Sequence, residues 1–222
     1  MSESERTQVV VLGKGALAIR VAEWFVSRPD YELRWVVPVI PEPSWTPSIS
    51  AWAQGAKIPL VKSGRWQDLP EGWSPDLAVS IFCHQIFPSA FIARCGRIIN
   101  LHNSPLPRYR GMAPINWALK NGEESHGVTL HEVTERVDAG PVLDQLCYPI
   151  DPERDEVIDV YERALQWGWA LMARALPRLD ELSPQPQDEA LATHYTRQDL
   201  EALGERRWFT RSESSARDLH AP

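Results

Sequence analysis

One stretch, Arg97–Gly111 (RIINLHNSPLPRYRG), constrains the fold more than any other part of the chain. Its first half is an apolar run typical of a buried strand, but the polar residues Asn100 and His102 interrupt it. Side chains two residues apart on a strand point to the same face, so the amide and the imidazole are expected side by side. The proline-rich second half predicts a turn. Ligands bind at this end of the strands in open α/β sheets, although the same spacing also fits two polar residues that only cap a loop.

Other apolar runs alternate with segments of helical periodicity, which predicts an α/β fold with a doubly wound, mostly parallel sheet and flanking helices. The run DLAVSIF at residues 76–82 has the continuous apolar character of a central parallel strand. Further strands are predicted at residues 9–12, 33–39, 58–61, 126–133 and 142–150. Helices are predicted at residues 16–27, 50–54, 88–95, 114–120, 153–182 and 199–203, with Pro177 expected to kink or shorten the long one.

The first predicted strand is followed by a glycine-containing turn, Gly13-x-Gly15-x-x-Ala18. This spacing fits the dinucleotide-binding fingerprint, but the second strand lacks the acidic residue that should hold a ribose, since Glu42 comes late. A tight strand-to-helix turn is therefore the favoured interpretation. An NAD(P)-dependent oxidoreductase stays as an alternative, and the glycines could also line the phosphates of a substrate.

A second polar group follows the predicted strand at residues 126–133. Residues 134–137 form a polar loop, and Asp138-Ala-Gly140-Pro closes it before the next strand. A carboxylate in such a turn can serve only to form the turn. It can also be carried back over the sheet edge toward His102, which would place a carboxylate beside an imidazole.

Three motifs carry a family resemblance: Asn100-x-His102-x-Ser104-x-Leu106-Pro107, the Arg110-Gly111 step, and Asp138-x-Gly140. Together they resemble the folate-dependent formyltransferases, which include glycinamide ribonucleotide, methionyl-tRNA and sugar N-formyltransferases. The stretch at residues 111–143 is most similar to the sugar nucleotide branch. The resemblance is strong over residues 97–143, weaker over 8–96 and faint after 150.

The resemblance implies a Rossmann-like formyltransferase fold and transfer of a formyl group from 10-formyltetrahydrofolate to the primary amine of a small substrate. An amino sugar on dTDP or GDP, as in lipopolysaccharide or O-antigen biosynthesis, is the expected acceptor; glycinamide ribonucleotide or another small amine is the alternative. This acyl transfer needs a base of near-neutral pKa and a donor to the developing oxyanion. We therefore expect His102 to act as general acid/base, Asn100 as oxyanion donor, and Asp138 as the group that orients His102 and relays protons, with no metal.

Two segments are implied to hold the pterin ring of the formyl donor through their backbone groups. They comprise Phe82, His84, Gln85, Ile86 and Phe87 after one strand, and Thr134, Glu135, Arg136 and Val137 before the aspartate. His84 is equally compatible with an ordinary loop histidine. The acceptor is expected to contact Lys14, Gly15, Ser104, Pro107, Arg108, Tyr109, Arg110, Gly111 and Met112. Of these, Ser104 is expected to brace the loop rather than to react.

The composition is that of an ordinary globular protein of 222 residues, with a net charge of −7 and a pI of about 5.4. This charge argues against a large nucleic-acid surface and weakens a tRNA substrate. From the short stretch after residue 182, we do not expect the tRNA-gripping barrel that a resemblance to methionyl-tRNA formyltransferases would imply. Three scattered cysteines, a polar start and no long apolar run predict a cytoplasmic protein without a membrane partner. A homodimer is a possible assembly.

The expected domains are a catalytic domain at 1–182, an extension packed on it at 183–209, and a disordered tail at 210–222.

Overall fold

The structure, a computed structural model, describes residues 6–204. These residues form two compact units, one ending at Asn100 and the other beginning at Leu101. The expected tail at 210–222 and the last part of the expected extension, 205–209, lie outside the described residues. The domain boundaries expected from the sequence therefore stay a proposal.

The first unit alternates strands and helices as the sequence predicts. Its elements are β1 (Thr7–Gly13), α1 (Gly15–Val26), β2 (Tyr31–Pro38), α2 (Ile49–Gly55), β3 (Leu77–Ile81), α3 (Ser89–Ile92) and the first residues of β4 (Arg97–His102). The strand order is β2-β1-β3 followed by β4, and β1 pairs in parallel with both β2 and β3. All five residues of β3 are buried, as expected for a central strand.

The second unit begins with the end of β4. Its further elements are β5 (Arg110–Gly111), α4 (Pro114–Lys120), β6 (Ser125–Glu132), β7 (Val142–Pro149), α5 (Val157–Ala175) and β8 (His194–Tyr195). The strand order is β4-β6-β7, with β6 and β7 antiparallel, and β5 pairs in parallel with β8 in a separate small sheet. The apolar face of α5 packs on β6 and β7. The predicted α/β fold class is thus confirmed.

Three details differ from the sequence-based expectations. The strand predicted at 58–61 is a single bridge between Val36 and Leu60, because Pro59 has no N–H to extend the ladder. The long helix predicted at 153–182 is shorter, and residues 176–181 continue as a 3-10 helix beginning beside Pro177. The pairing of β5 with β8 was not expected, because two-residue strands are too short to show periodicity.

Among residues 6–204, no helix combines the length and apolar character needed to cross a bilayer.

Candidate active site

The carboxyl end of β4 carries the two polar residues that interrupt its apolar run. Ile99 and Leu101 are fully buried, whereas Asn100 and His102 each retain 8% exposure. The two-residue spacing on an extended strand places the amide and the imidazole on the same face. The apolar residues thus anchor the strand, and the polar pair shares the other face of the strand and is almost fully buried.

The turn after β4 folds back so that its backbone reaches the histidine. His102 Nε2 lies 2.8 Å from the carbonyl oxygen of Tyr109. Thr129 on β6 holds the turn, because its hydroxyl donates to the Ser104 carbonyl (2.7 Å) and accepts the Leu106 N–H (3.1 Å). A carbonyl oxygen only accepts hydrogen bonds, so His102 Nε2 carries a proton. In the neutral ring, the lone pair therefore lies on Nδ1.

Asp138 lies between two histidines in the second unit. Its Oδ2 is 3.4 Å from His102 Nδ1, and its Oδ1 is 3.5 Å from His131 Nε2. The Gly111 N–H donates to Oδ2 at 2.8 Å. The other nitrogen of His131, Nδ1, is 2.8 Å from the Glu132 carbonyl oxygen, so it too carries a proton. Both imidazoles thus present their second nitrogen to one carboxylate.

Burial and charge act in opposite directions on this cluster. Burial lowers the pKa of His102 below its usual value, although the Asp138 carboxylate and the Tyr109 carbonyl both act to raise it. Burial would raise the pKa of Asp138, but the two histidines and the Gly111 N–H outweigh it and lower that pKa well below the usual range. Asp138 is therefore ionised at neutral pH, and it favours the protonated form of His102 beside it.

Two glycines allow the backbone to approach closely around Asp138. A Cβ on Gly111, which has φ +86°, would overlap the Tyr195 carbonyl and lie 2.9 Å from the His194 ring. A Cβ on Gly140 would overlap the Glu132 carbonyl and lie 2.8 Å from its carbon. Asp138 itself has φ +50°, a left-handed conformation that is strained for a residue with a side chain and is often found at functional sites.

Most of the predicted acceptor residues in the second unit contact other residues of that unit. The Ser104 hydroxyl donates to the Arg108 carbonyl (2.8 Å), which fits a bracing role. Both Arg108 and Tyr109 bind Glu123, the tyrosine hydroxyl at 2.6 Å. The Arg110 guanidinium is only 4% exposed and binds Gln187 and Glu189. Pro107 lies in the turn before β5 and Met112 directly follows β5, where its N–H donates to the Tyr195 carbonyl.

The predicted pterin segment of the first unit follows β3 directly. Gln85 ties it to the loop before the 3-10 turn at residues 66–68, because its Nε2 donates to the Gly64 carbonyl (2.8 Å). Phe82 has a left-handed φ of +48°, which is unusual for an aromatic residue. Desolvation and the positive charge of Lys14 lower the pKa of His84 to about 4. Ile86 is 70% exposed, whereas Phe87 is buried.

The predicted pterin segment of the second unit is the loop Thr134 to Val137, and all four residues are exposed. The Thr134 hydroxyl donates to the Arg136 carbonyl (3.2 Å), and the Arg136 side chain binds Glu189 (3.0 Å). Val137 is an exposed large apolar side chain, and Glu135 lies between Thr134 and Arg136 in the chain. The loop therefore offers backbone groups and apolar surface to a ligand.

The glycine turn after β1 is occupied by the chain itself. A Cβ on Gly15 would lie 2.5 Å from the Thr46 hydroxyl, and that hydroxyl accepts the Ala16 N–H (3.3 Å) at the start of α1. A dinucleotide fold would direct these N–H groups at a pyrophosphate. This contact favours the interpretation as a tight turn. Lys14 precedes the helix, and burial lowers the pKa of its amine.

His131 is the site residue that was not assigned from the sequence, although it lies in the motif similar to the sugar nucleotide branch. It is 2% exposed and contacts Asp138 from β6. Its position at the end of a strand and seven residues before Asp138 was a signal that could have singled it out. Within residues 6–204, no group of three or more His, Cys, Asp or Glu side chains is placed to hold a metal ion.

Comparison with known proteins identifies the family. The family model described as formyl transferase matches residues 64–176. The chain belongs to the formyl transferase family. It is 46% identical over 121 residues to the methionyl-tRNA formyltransferase of Deinococcus radiodurans, which covers 54% of this chain and 37% of the relative. It is 36% identical over 155 residues to the same enzyme of Halalkalibacterium halodurans, covering 66% and 49%. The chain spans less than half the length of these curated relatives.

Solved structures of formyltransferases share the fold. The N-formyltransferase of Helicobacter canadensis, solved with folinic acid and dTDP-3-aminofucose, superposes with a TM-score of 0.78 at 21% identity, covering 96% of this chain and 79% of that one. A sugar N-formyltransferase from a Shewanella species gives 0.68 at 23% identity, covering 96% and 86%. The family and fold that the motifs predicted are therefore confirmed.

Proposed function

We propose that the protein transfers a formyl group from 10-formyltetrahydrofolate to a primary amine. The observation that carries this proposal is the buried pairing of His102 with an ionised Asp138. His102 lies two residues after Asn100 on the same strand. The amine nitrogen attacks the formyl carbon, the carbonyl electrons move to oxygen, and the bond to the folate nitrogen then breaks. The amine loses one proton and the leaving nitrogen gains one, so no oxidant or metal is needed.

His102 moves the proton in this reaction. Its Nε2 is committed to the Tyr109 carbonyl, so Nδ1 is the atom that exchanges a proton. When Nδ1 accepts the amine proton, the Asp138 carboxylate stabilises the imidazolium that forms. Because burial lowers the pKa of His102 while Asp138 opposes this effect, the neutral ring that accepts the proton is the form favoured at neutral pH.

Asn100 supplies the hydrogen bond that the tetrahedral intermediate requires. Its amide lies on the same strand face as the His102 imidazole, so both groups can approach one reacting carbonyl. A preorganised donor of this kind typically contributes about 10²–10³-fold to the rate.

Each of the two predicted pterin segments, considered separately, has features expected of a ligand site. Large exposed apolar side chains are few within residues 6–204, and two of them, Ile86 and Val137, belong to the two predicted pterin segments. Phe82 and Asp138, at or beside these segments, are both left-handed, and strain of this kind is common at ligand sites. Related structures were solved with folinic acid and with 5-N-formyl-THF, which supports a reduced folate as the donor here.

The acceptor we propose is an amino sugar carried on a nucleotide. The Helicobacter canadensis structure holds dTDP-3-aminofucose, and the net charge of −7 suits a small substrate better than a large nucleic acid. Lys14 and Arg108 are cations among the residues predicted to contact the acceptor, and we propose that they pair with its phosphates. We further propose that the protein acts in the cytoplasm, in lipopolysaccharide or O-antigen biosynthesis, and forms a homodimer.

Methionyl-tRNA is the second candidate acceptor, because the curated relatives at 46% and 36% identity carry that name. Those relatives are more than twice as long as the part that this chain matches. A panel of acceptors distinguishes the candidates: dTDP- and GDP-linked amino sugars, glycinamide ribonucleotide and methionyl-tRNA, each with 10-formyltetrahydrofolate.

We expect a product heavier by one formyl group with an amino-sugar nucleotide only. His102→Ala, as the control, should lower its rate by about 10²–10⁴-fold while the protein stays folded. Formylation of methionyl-tRNA or of glycinamide ribonucleotide in place of the sugar would contradict the proposed acceptor. A His102→Ala variant with the wild-type rate would contradict the mechanism.

A further inference from the structure

Gln187, in the segment at residues 183–195, binds the main chain around Asp138. Its Nε2 donates to the carbonyl oxygens of Asp138 (2.9 Å) and Gly140 (2.7 Å). Gln187 is thereby bound to the main chain on both sides of Ala139.

Arg110 fixes the orientation of the Gln187 amide. The oxygen of the amide accepts from Arg110 Nε (3.0 Å) and Nη2 (2.7 Å), so its nitrogen must face the two carbonyls. The Arg110 guanidinium is 4% exposed and is itself held by Glu189, at 3.0 and 3.2 Å. The amide therefore has a defined partner for each of its hydrogen-bonding positions.

The backbone that Gln187 binds is strained and needs support. Asp138 has φ +50°, and a left-handed residue with a side chain persists only where its surroundings hold it. The carboxylate of Asp138 is held from the neighbouring element, since the Gly111 N–H that donates to Oδ2 follows Arg110 on β5. Arg110 and Gln187 thus hold the main chain of Asp138 beside the strand that holds its side chain.

We propose that Gln187 is a positioning residue for Asp138 and, through Asp138, sets the protonation of His102. The carboxylate lies 3.4 Å from His102 Nδ1, and a charge at this distance has a steep effect on the imidazole. Relaxation of the loop lengthens this contact and reduces the stabilisation of the imidazolium. The kinetic consequence rests on the proposed function, but the effect on the titration of His102 does not.

The test uses Gln187→Met in the full chain, with Gln185→Met as the matched control. Methionine keeps the length of the side chain and removes the amide. Gln185 belongs to the same segment, but its exposed side chain donates only to the nearby Ser183 carbonyl (3.2 Å), and its pairing with Val142 uses the main chain. The titration of His102 is followed by NMR without substrates, with His102→Gln to assign its signal, and kcat and KM are measured separately.

We expect His102 to titrate at lower pH in Gln187→Met than in the wild type. The kcat of this variant should fall by about 10-fold or more, because small misplacements mainly affect the chemical step. Its KM for the formyl donor should stay within about 2-fold of the wild-type value. Gln185→Met should match the wild type in both. An unchanged His102 titration in Gln187→Met would overturn the proposal, even if kcat falls, because a merely structural role would leave the titration in place.

A second variant covers the case in which Gln187→Met does not fold. Gln187→Glu keeps the shape and strengthens the pairing with Arg110, but it places a carboxylate oxygen against the Asp138 and Gly140 carbonyls. We expect it to fold with a kcat reduced at least as much as in Gln187→Met. A wild-type kcat in this variant would overturn the proposal. If no acceptor is formylated by the wild type, the proposed function fails, and the titration of Gln187→Met still decides the role of Gln187.

Discussion

Gly140→Ala tests whether the close approach of the Asp138 loop to β6 is as the structure shows. The φ of Gly140 is ordinary, so the effect of a Cβ arises from space alone. The added carbon would overlap the Glu132 carbonyl and lie 2.8 Å from its carbon, whereas ordinary contacts begin at 3.4 Å. The loop must therefore move away from β6.

This movement has a cost that can be worked from the bonds involved. It disrupts two hydrogen bonds: the one from the Glu132 N–H to the Pro141 carbonyl (2.9 Å) and the one from the Gln187 side chain to the Gly140 carbonyl (2.7 Å). Each bond contributes about 1 kcal/mol, and overpacking adds about 1–3 kcal/mol. With both bonds lost, we expect a loss of about 3–5 kcal/mol in the free energy of unfolding, which for a chain of this size lowers Tm by about 6–20 °C.

The assay is denaturant and thermal unfolding, combined with formyl transfer well below the Tm of the variant. Gly55→Ala is the matched control, because Gly55 ends α2 and has no heavy atom within 4 Å of the added carbon. It should stabilise the protein by about 0.5–1 kcal/mol. The rate of Gly140→Ala should fall by about 10²-fold, since Asp138 lies two residues away. A free energy of unfolding within about 0.5 kcal/mol of the wild type would refute the reasoning.

Two further predictions concern the histidine and the ligands. Proton transfer requires neutral His102, so the rate rises as pH passes upward through the His102 pKa. Since Asp138 raises that pKa, Asp138→Asn should displace the rise in the pH–rate profile toward lower pH. A displacement toward higher pH would contradict the pairing. Tetrahydrofolate at about 100 times its Kd should stabilise the protein by about 2.7 kcal/mol and raise its Tm in a thermal-shift measurement, whereas NAD(H) should not. Stabilisation by NAD(H) alone would favour the oxidoreductase alternative.

Local patterns in the sequence predicted most of the regular elements. The continuous apolar run of β3 and the interrupted run of β4 both lie where they were predicted, because burial imposes its period directly on neighbouring residues. The spacing of Asn100 and His102 likewise placed both side chains on one face, since this depends only on the geometry of a single strand. The family followed from the same short motifs.

Only the tertiary structure decided which distant residues meet. Asp138 lies 36 positions after His102 in the chain, and no periodicity predicts that its carboxylate also contacts His131. Gln187 lies in a polar segment without a pattern, yet it binds the main chain of Asp138 through an amide oriented by Arg110. The sequence determined the elements and the chemical types of the site because these are local properties, whereas the partners of each side chain depend on contacts between segments far apart in the chain.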